Sequence, residues 1–189
     1  MGNEPGTNGG QQHIPASAVA VVDLLNSRAH ATPLLPDTLA ELESARPIIE
    51  QFGAVHYEAT SARTLARVRE LREDLLDAAL ATDAEEVAAA WARFSERVAS
   101  VRFRQAFAGP DAVTLVQESG SSIIGGIVLA VSNLAASNTW GRIRLCVNEE
   151  CSHAFYDTTR SRTQRWHSYE ICGNRSNVAA YRARKGSKA

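Results

Sequence analysis

The sequence predicts a mainly α fold with a small β-hairpin, in which a helical N-terminal domain precedes a small C-terminal module. Apolar residues recur at helical spacing through most of residues 15–140. Alternation of apolar and polar residues is confined to the neighbourhood of residues 101–118, which predicts the hairpin. The C-terminal module is set apart because all three cysteines lie between positions 146 and 172.

Charge divides the chain at the same place. Residues 1–141 carry 10 Lys and Arg against 17 Asp and Glu, a net charge of −7, and residues 142–189 carry 10 against 4, a net charge of +6. A basic module on an acidic body is typical of proteins with a polyanionic partner. A solvated basic tail is the simpler alternative.

The first 14 residues are rich in Gly, Asn, Gln and Pro, and they are predicted to be disordered. They lack the basic start of a signal peptide. The nearest candidate for a membrane span, Ile123–Ala136, has only 14 residues and is too short to cross a bilayer. We therefore expect a cytoplasmic protein with no membrane partner.

The helical domain is predicted to begin at Pro15 or Ser17, with a first helix to about His30. Asp37 can cap the next helix, which Pro47 either kinks or divides. A strongly amphipathic helix follows over about 61–81, and a capping box of Asp83 and Glu86 starts another to about residue 100. The aromatic and aliphatic residues predicted to face the core from that last helix are Trp91, Phe94 and Val98.

An apolar helix is predicted over residues 120–138, after the hairpin. Its predicted core residues are Ile123, Ile127, Ala130, Val131 and Leu134. The glycines between Gly120 and Gly126 invite a phosphate-loop interpretation, but no Lys follows them, and that interpretation is disfavoured.

Four side chains of the C-terminal module have the spacing of a tetrahedral zinc site. Cys146 and Cys151 form a C-x4-C pair, and His167 and Cys172 form an H-x4-C pair after a spacer of fifteen residues. The alternatives are a disulfide, which would leave one thiol over, and three unliganded core cysteines with strongly polar neighbours. His153 is a rival to His167 as the fourth ligand.

The motifs around these residues resemble the CGNR zinc-finger family. They occur in the family's order as Cys146-x4-Cys151, FYDTTR at 155–160, RWHS at 165–168, CGNR at 172–175 and YRAR at 181–184. Many members have cysteine where this chain has His167. The resemblance implies a bacterial regulator in which a helical domain of the ABATE type, here residues 15–140, precedes a finger at 142–185 and a tail at 186–189.

The expected cofactor is one structural Zn²⁺, because four protein ligands leave no open position for water. With no complete set of nucleophile, base and acid, we expect no enzymatic activity. Basic residues available for phosphate contacts are Arg160, Arg162, Arg165, Arg175, Arg182, Arg184 and Lys185. An internal salt bridge to Asp157 is the alternative for Arg175, and Asn174 can cap a final helix that runs through Tyr181.

Two further features of the module are predicted from its composition. Gly173 suits either a close approach of backbone to the metal thiolate or a left-handed turn. Phe155, Trp166 and Tyr169 are expected to form the module's small core rather than stacking platforms for bases.

The resemblance and the basic module together predict a zinc-dependent, DNA-binding transcriptional regulator with duplex DNA as its partner. The alternative is a zinc-stapled protein-interaction or dimerisation module on a helical domain that senses a small ligand. A small-molecule effector and a homodimer stay open as further partners.

Overall fold

The computed structural model describes residues 13–53, 60–110, 112–178 and 184. The α-helices are α1 Ala16–Asn26, α2 Leu42–Glu50, α3 Ala62–Leu80, α4 Ala84–Val98 and α5 Ser122–Ala136. The antiparallel strand pairs are β1 Arg102–Gly109 with β2 Ala112–Ser119, and β3 Ile143–Leu145 with β4 Ala154–Tyr156. The mainly α fold with small hairpins is thus confirmed. The predicted disorder of residues 1–14 falls largely outside the described residues, as does the tail at 186–189.

The core lies between α1, α3 and α5. Leu24 and Leu25 of α1, Leu75 of α3 and Leu134 of α5 are fully buried in it. All five residues predicted to face the core from the last apolar helix are buried. The same core includes Ile143 of β3 and Ala154 of β4, so the second hairpin packs on the helical body. The division of the chain at about residue 141 stays a prediction.

Two helices begin with a side-chain N-cap, and the cap at Asp83 is the one that the sequence predicts. Ser61 Oγ accepts a hydrogen bond from Thr64 N at 3.1 Å, and an Asp83 carboxylate oxygen accepts one from Glu86 N at 2.9 Å. The Glu86 carboxylate accepts from Thr82 N, one residue before the position that a capping box uses. Phe94 is buried and Trp91 and Val98 pack against the core, as predicted.

The predicted cap at Asp37 is wrong. α2 begins at Leu42, and the Asp37 carboxylate instead accepts two hydrogen bonds from the Arg72 guanidinium, at 2.9 and 2.8 Å. Arg72 projects from α3 and is only 4% exposed, so it needs a charged acceptor in the interior. Asp37 therefore ties the loop before α2 to α3.

The glycines at the start of α5 serve packing. A Cβ on Gly126 would lie 1.9 Å from the Phe52 carbonyl oxygen, so only glycine allows α5 to approach the end of α2 this closely. This contact accounts for the glycine without a phosphate ligand. None of the described helices is both long enough and apolar enough to cross a bilayer.

Candidate metal centre

Four ligand atoms converge at the C-terminal end of the described chain. The sulfurs of Cys146, Cys151 and Cys172 and a ring nitrogen of His167 all lie within 4.8 Å of one another. The His167 Nδ1 atom is 3.3 Å from the Cys151 sulfur and 3.7 Å from the Cys172 sulfur. The three cysteines are buried, and they are free thiols rather than disulfides. The structure therefore places the four predicted ligands in one cluster.

The spacing fits tetrahedral zinc. Zinc–sulfur bonds of about 2.3 Å and zinc–nitrogen bonds of about 2.0–2.1 Å place neighbouring ligand atoms of a tetrahedral S3N site roughly 3.5–3.8 Å apart. The distances of 3.3 and 3.7 Å from His167 Nδ1 to the two sulfurs lie close to or within this range, and a contraction of the site would bring the longest separation of 4.8 Å into it. Three sulfurs and one imidazole nitrogen are a donor set that zinc prefers. The site is consistent with one structural zinc.

A hairpin loop positions the first two ligands. β3 and β4 flank it, and Cys146 N donates to the His153 carbonyl oxygen at 2.9 Å across the loop. Within the loop, Cys151 N and Ser152 N both donate to the Asn148 carbonyl oxygen, which turns the chain back toward Cys146. Ser152 has a φ of +51°, the left-handed conformation that closes the turn.

A π-helical turn, Tyr169–Gly173, positions the last ligand. The hydroxyl oxygen of Ser168 caps this turn by accepting from Ile171 N at 3.3 Å, and Cys172 N donates to the Ser168 carbonyl oxygen at 2.9 Å. Residues 174–178 continue as α-helix. Cys172 is thereby held 1% exposed against the other ligands.

Burial makes the Cys151 thiol a poor acid without a cation. Desolvation, with smaller contributions from Cys172 and Cys146, raises the pKa of Cys151 to about 12. Zinc binds the thiolate form, so its charge has to offset this desolvation when it is bound. Burial and the nearby His30 lower the pKa of His167, which favours the neutral imidazole that a metal requires.

Comparison with known proteins agrees with this geometry. The family model described as CGNR zinc finger matches residues 142–185. Over these residues the chain is similar to CGNR zinc fingers. The comparison with curated proteins gave no match. The metal-binding part of the prediction is thus confirmed, and the ABATE-type assignment of the helical domain stays a prediction.

His153, the rival ligand, has other partners. Its Nε2 atom lies 3.1 Å from Asn26 Nδ2, and its Nδ1 atom lies 3.1 Å from His30 Nε2. His30 Nδ1 in turn lies 2.8 Å from the Arg28 carbonyl oxygen, so a single chain of N–H donors satisfies both rings when they are neutral. Burial, with the charges of His167, His30 and Arg28, lowers the pKa of His153 to about 4. His153 therefore supports the finger from outside the ligand set.

Helix α1 holds the finger in place. The Asn26 side chain pairs with the backbone of Ala154, accepting from its N at 2.7 Å and donating to its carbonyl oxygen at 2.9 Å. Arg28 Nη2 donates to the Ser152 carbonyl oxygen in the ligand loop. No local sequence pattern identifies Asn26, Arg28 and His30 as supports of the finger, because they lie more than a hundred positions before their partners.

Asp157 organises the loop that carries three of the predicted DNA contacts. It is fully buried, and its carboxylate accepts from Thr159 N at 2.8 Å, Thr159 Oγ1 at 2.5 Å and Gln164 N at 2.9 Å. Burial alone would raise the pKa of Asp157, but these hydrogen bonds and the charge of Arg144 outweigh it and lower the pKa. The ion-pair neighbour of Asp157 is Arg144, at 3.9 Å, and not Arg175.

The predicted basic residues that the structure describes all lie at the surface. They are Arg160, Arg162, Arg165, Arg175 and Arg184. Arg165 stacks on Trp166, with its guanidinium carbon 5.2 Å from the ring centroid. Arg182 and Lys185 lie outside the described residues, as does Tyr181, the predicted end of the last helix.

Three details of the finger differ from expectation. Asn174 lies inside a helical segment rather than at its cap, because Ser168 caps the preceding turn. Gly173 is not in a left-handed turn; a Cβ there would lie 2.7 Å from the Tyr169 ring. Tyr169 itself is 60% exposed, although its ring lies edge-on to Trp166 with centroids 5.8 Å apart. Phe155 is buried, and Trp166 packs against the three cysteines.

Proposed function

We propose that this protein is a zinc-dependent, DNA-binding transcriptional regulator, with the finger as its DNA-contacting part and no catalytic role. The observation that carries the proposal is that the module with the four candidate zinc ligands also has arginines on its surface. Residues 142–189 have a net charge of +6, whereas residues 1–141 have a net charge of −7. An acidic body would turn away from DNA, which leaves the finger as the approaching surface.

The loop between β4 and the π-helical turn is suited to phosphate contacts. Arg160 and Arg162 are exposed on it, and the buried Asp157 carboxylate fixes the backbone beneath them. A fixed loop loses less entropy when its side chains bind than a mobile one does. Arginine is favoured here because its planar guanidinium bonds phosphate oxygens or guanine edges in pairs.

One observation favours the alternative, a protein-interaction module. Around the π-helical turn, Tyr169 is 60%, Ile171 53% and Val178 49% exposed. Exposed apolar side chains of this kind are typical of protein contacts. The two functions differ in salt dependence, because only phosphate contacts release counterions.

The test is selection of the zinc-loaded protein on a random pool of duplex DNA, with the retained sequences read at low and moderate salt. We expect one enriched motif, and loss of all retention when zinc is removed with a chelator. Retention of DNA without an enriched motif would show that the finger binds DNA nonspecifically, through its basic charge alone. No retention at low salt would contradict the DNA proposal and favour the interaction module.

A further inference from the structure

The indole N–H of Trp166 is a buried hydrogen-bond donor with no partner among the described residues. Its Nε1 atom is shielded from solvent, although the side chain as a whole is only half-buried. An indole N–H can donate but not accept, and leaving a buried donor unpaired is unfavourable. Such atoms are few in native proteins, and each normally has a specific cause.

Two other buried side-chain atoms of the described chain lack a hydrogen-bond partner, and each has a cause. Asp74 Oδ2 lies 2.6 Å from Arg97 Nε, so an ion pair satisfies it. Thr60 Oγ1 belongs to the residue that directly follows positions 54–59, which lie outside the described ranges. Neither cause applies to Trp166, because it makes no ion pair and the residues on both sides of it are described.

The ring of Trp166 lies against the candidate metal ligands. It packs on the sulfur cluster of Cys146, Cys151 and Cys172, and it directly precedes His167 in the sequence. A neutral thiol is only a weak acceptor, whereas a thiolate carries a full charge and accepts strong, charge-assisted hydrogen bonds. Because zinc binds cysteine as the thiolate, the metal turns the neighbours of this ring into strong acceptors.

The other contacts of Trp166 hold its ring in place without bonding Nε1. The Arg165 guanidinium carbon lies 5.2 Å from the ring centroid, and the Tyr169 ring lies edge-on with centroids 5.8 Å apart. The backbone is held as well. Gln164 Nε2 donates to the Trp166 carbonyl oxygen at 2.9 Å, and Val147 N donates to the Arg165 carbonyl oxygen at 3.0 Å. These contacts fix the ring beside the loop between β3 and β4.

We propose that the Trp166 indole N–H donates a hydrogen bond to a cysteine thiolate of the zinc-loaded finger and thereby strengthens zinc binding. Three thiolates and a neutral imidazole around Zn²⁺ leave one excess negative charge in a buried site. A hydrogen bond to the charged form of a group stabilises that form, so this donor offsets part of the desolvation that opposes thiolate formation. The role concerns the metal, and it does not depend on whether the finger binds DNA.

Site-specific replacement of Trp166 by the benzothienyl analogue of tryptophan tests this proposal in the full chain. The analogue keeps the two fused rings and has sulfur where tryptophan has N–H, so the packing is retained and the donor is lost. We expect one zinc per chain with an affinity lower by about tenfold, as for other partners outside a ligand set, measured by competition with a chromophoric chelator. The same replacement at Trp91, whose ring meets Trp140 in the helical body, is the matched control and should leave zinc affinity unchanged.

A spectroscopic measurement on the unmodified chain distinguishes a hydrogen bond from ring packing. With a magnetic isotope of cadmium in place of zinc, a proton hydrogen-bonded to a ligating sulfur shows scalar coupling to the metal in NMR spectra. We expect this coupling at the indole proton of Trp166, identified by the signal that Trp166→Phe lacks, and not at the indole proton of Trp91.

Unchanged zinc affinity in a folded chain with the Trp166 analogue would overturn the proposal. So would a loss of affinity without coupling in the unmodified chain, because the ring would then act through packing alone. An N–H that bonds a water molecule would also give no coupling. Because the coupling is measured on the unmodified chain, it tests the proposal even if the analogue folds poorly.

Discussion

Single residues decide whether the finger can hold its metal. His167 places Nδ1 beside the cysteine sulfurs, whereas both ring nitrogens of His153 are bonded to α1 and the segment that follows it. The spacing of the sequence favoured His167 and kept His153 as a rival, and the two imidazoles do lie close together, with ring centroids 4.8 Å apart. The difference between them comes from Asn26 and His30, which no local pattern connects to the finger.

His167→Ala should therefore weaken zinc binding by at least about a hundredfold, since even changes outside the ligand set cost about 10–100-fold in metal affinity. His153→Ala, the matched control, should keep one zinc per chain with a loss at the lower end of that range, about tenfold. Competition with a chromophoric chelator measures both. A His153→Ala chain that loses its zinc while His167→Ala retains it would reverse the ligand assignment.

The Asp37–Arg72 pair should make stability depend on acid. Burial raises the pKa of Asp37, but the hydrogen bonds from Arg72 and Leu39 outweigh it, so the folded pKa lies below the ordinary value. A carboxyl with a lowered folded pKa stabilises the fold above its unfolded pKa of about 3.9, and this stabilisation disappears as pH falls through the folded pKa.

Asp37→Asn should lower the free energy of unfolding by about 2 kcal/mol at pH 7. Breaking a fully buried pair costs about 3–5 kcal/mol, but Asp37 is 27% exposed and Arg72 also bonds Glu73. Urea unfolding at several pH values checks this. The gap between wild type and variant should narrow below about pH 4, and a gap that is constant with pH would contradict the pair's role.

At the scale of elements, helical periodicity and the N-cap at Asp83 could be predicted from the sequence because they depend on neighbouring residues along the chain. α3, α4 and α5 begin and end within two residues of their predicted bounds. Partners that are distant in the sequence could not be predicted. Asp37 was predicted to be a helix cap because its partner Arg72 lies 35 positions away. Nothing in the sequence of α1 indicated that Asn26 pairs with β4. The ligand set was predictable because metal ligands come in short pairs.

The Asn26 side chain is the clearest test of α1 as a support for the finger. Asn26→Ala leaves the buried N–H and carbonyl of Ala154 without their partner, so it should cost about 1–3 kcal/mol of stability. Asn133→Ala on α5 is the matched control, because Asn133 is exposed, and it should change stability by about 0.5 kcal/mol or less. Equal losses of stability from the two variants would show that the Asn26 side chain does not support the finger.

The close packing of α5 should be sensitive to one methyl group. A Cβ on Gly126 meets the Phe52 backbone at 1.9 Å, whereas one on Gly125 meets the movable end of the Gln117 side chain at 2.0 Å. Gly126→Ala should therefore destabilise the fold by about 2 kcal/mol or more, and Gly125→Ala by clearly less. Urea unfolding compares them, and a neutral Gly126→Ala would contradict the packing account.

At the scale of the whole molecule, the finger and the helical body share one core. Ile143 and Ala154 from the finger's strands are buried with the residues of α1 and α5. We expect the zinc-loaded chain to unfold in one calorimetric transition, with zinc removal lowering its midpoint. Two separate transitions, with only the smaller one sensitive to zinc, would show that the finger folds independently.

The proposed DNA function is tested most directly by the salt dependence of duplex affinity in two matched variants. Arg160→Ala with Arg162→Ala removes two exposed charges from the finger, and Arg63→Ala with Arg102→Ala removes two from the acidic body. With roughly four to six phosphate contacts, log affinity of the wild type should fall against log salt with a slope of about −4 to −5. The finger variant should bind more weakly with a slope shallower by about 2, and the body variant should match wild type. A wild-type slope near zero, or equal losses from both variants, would contradict binding through the finger.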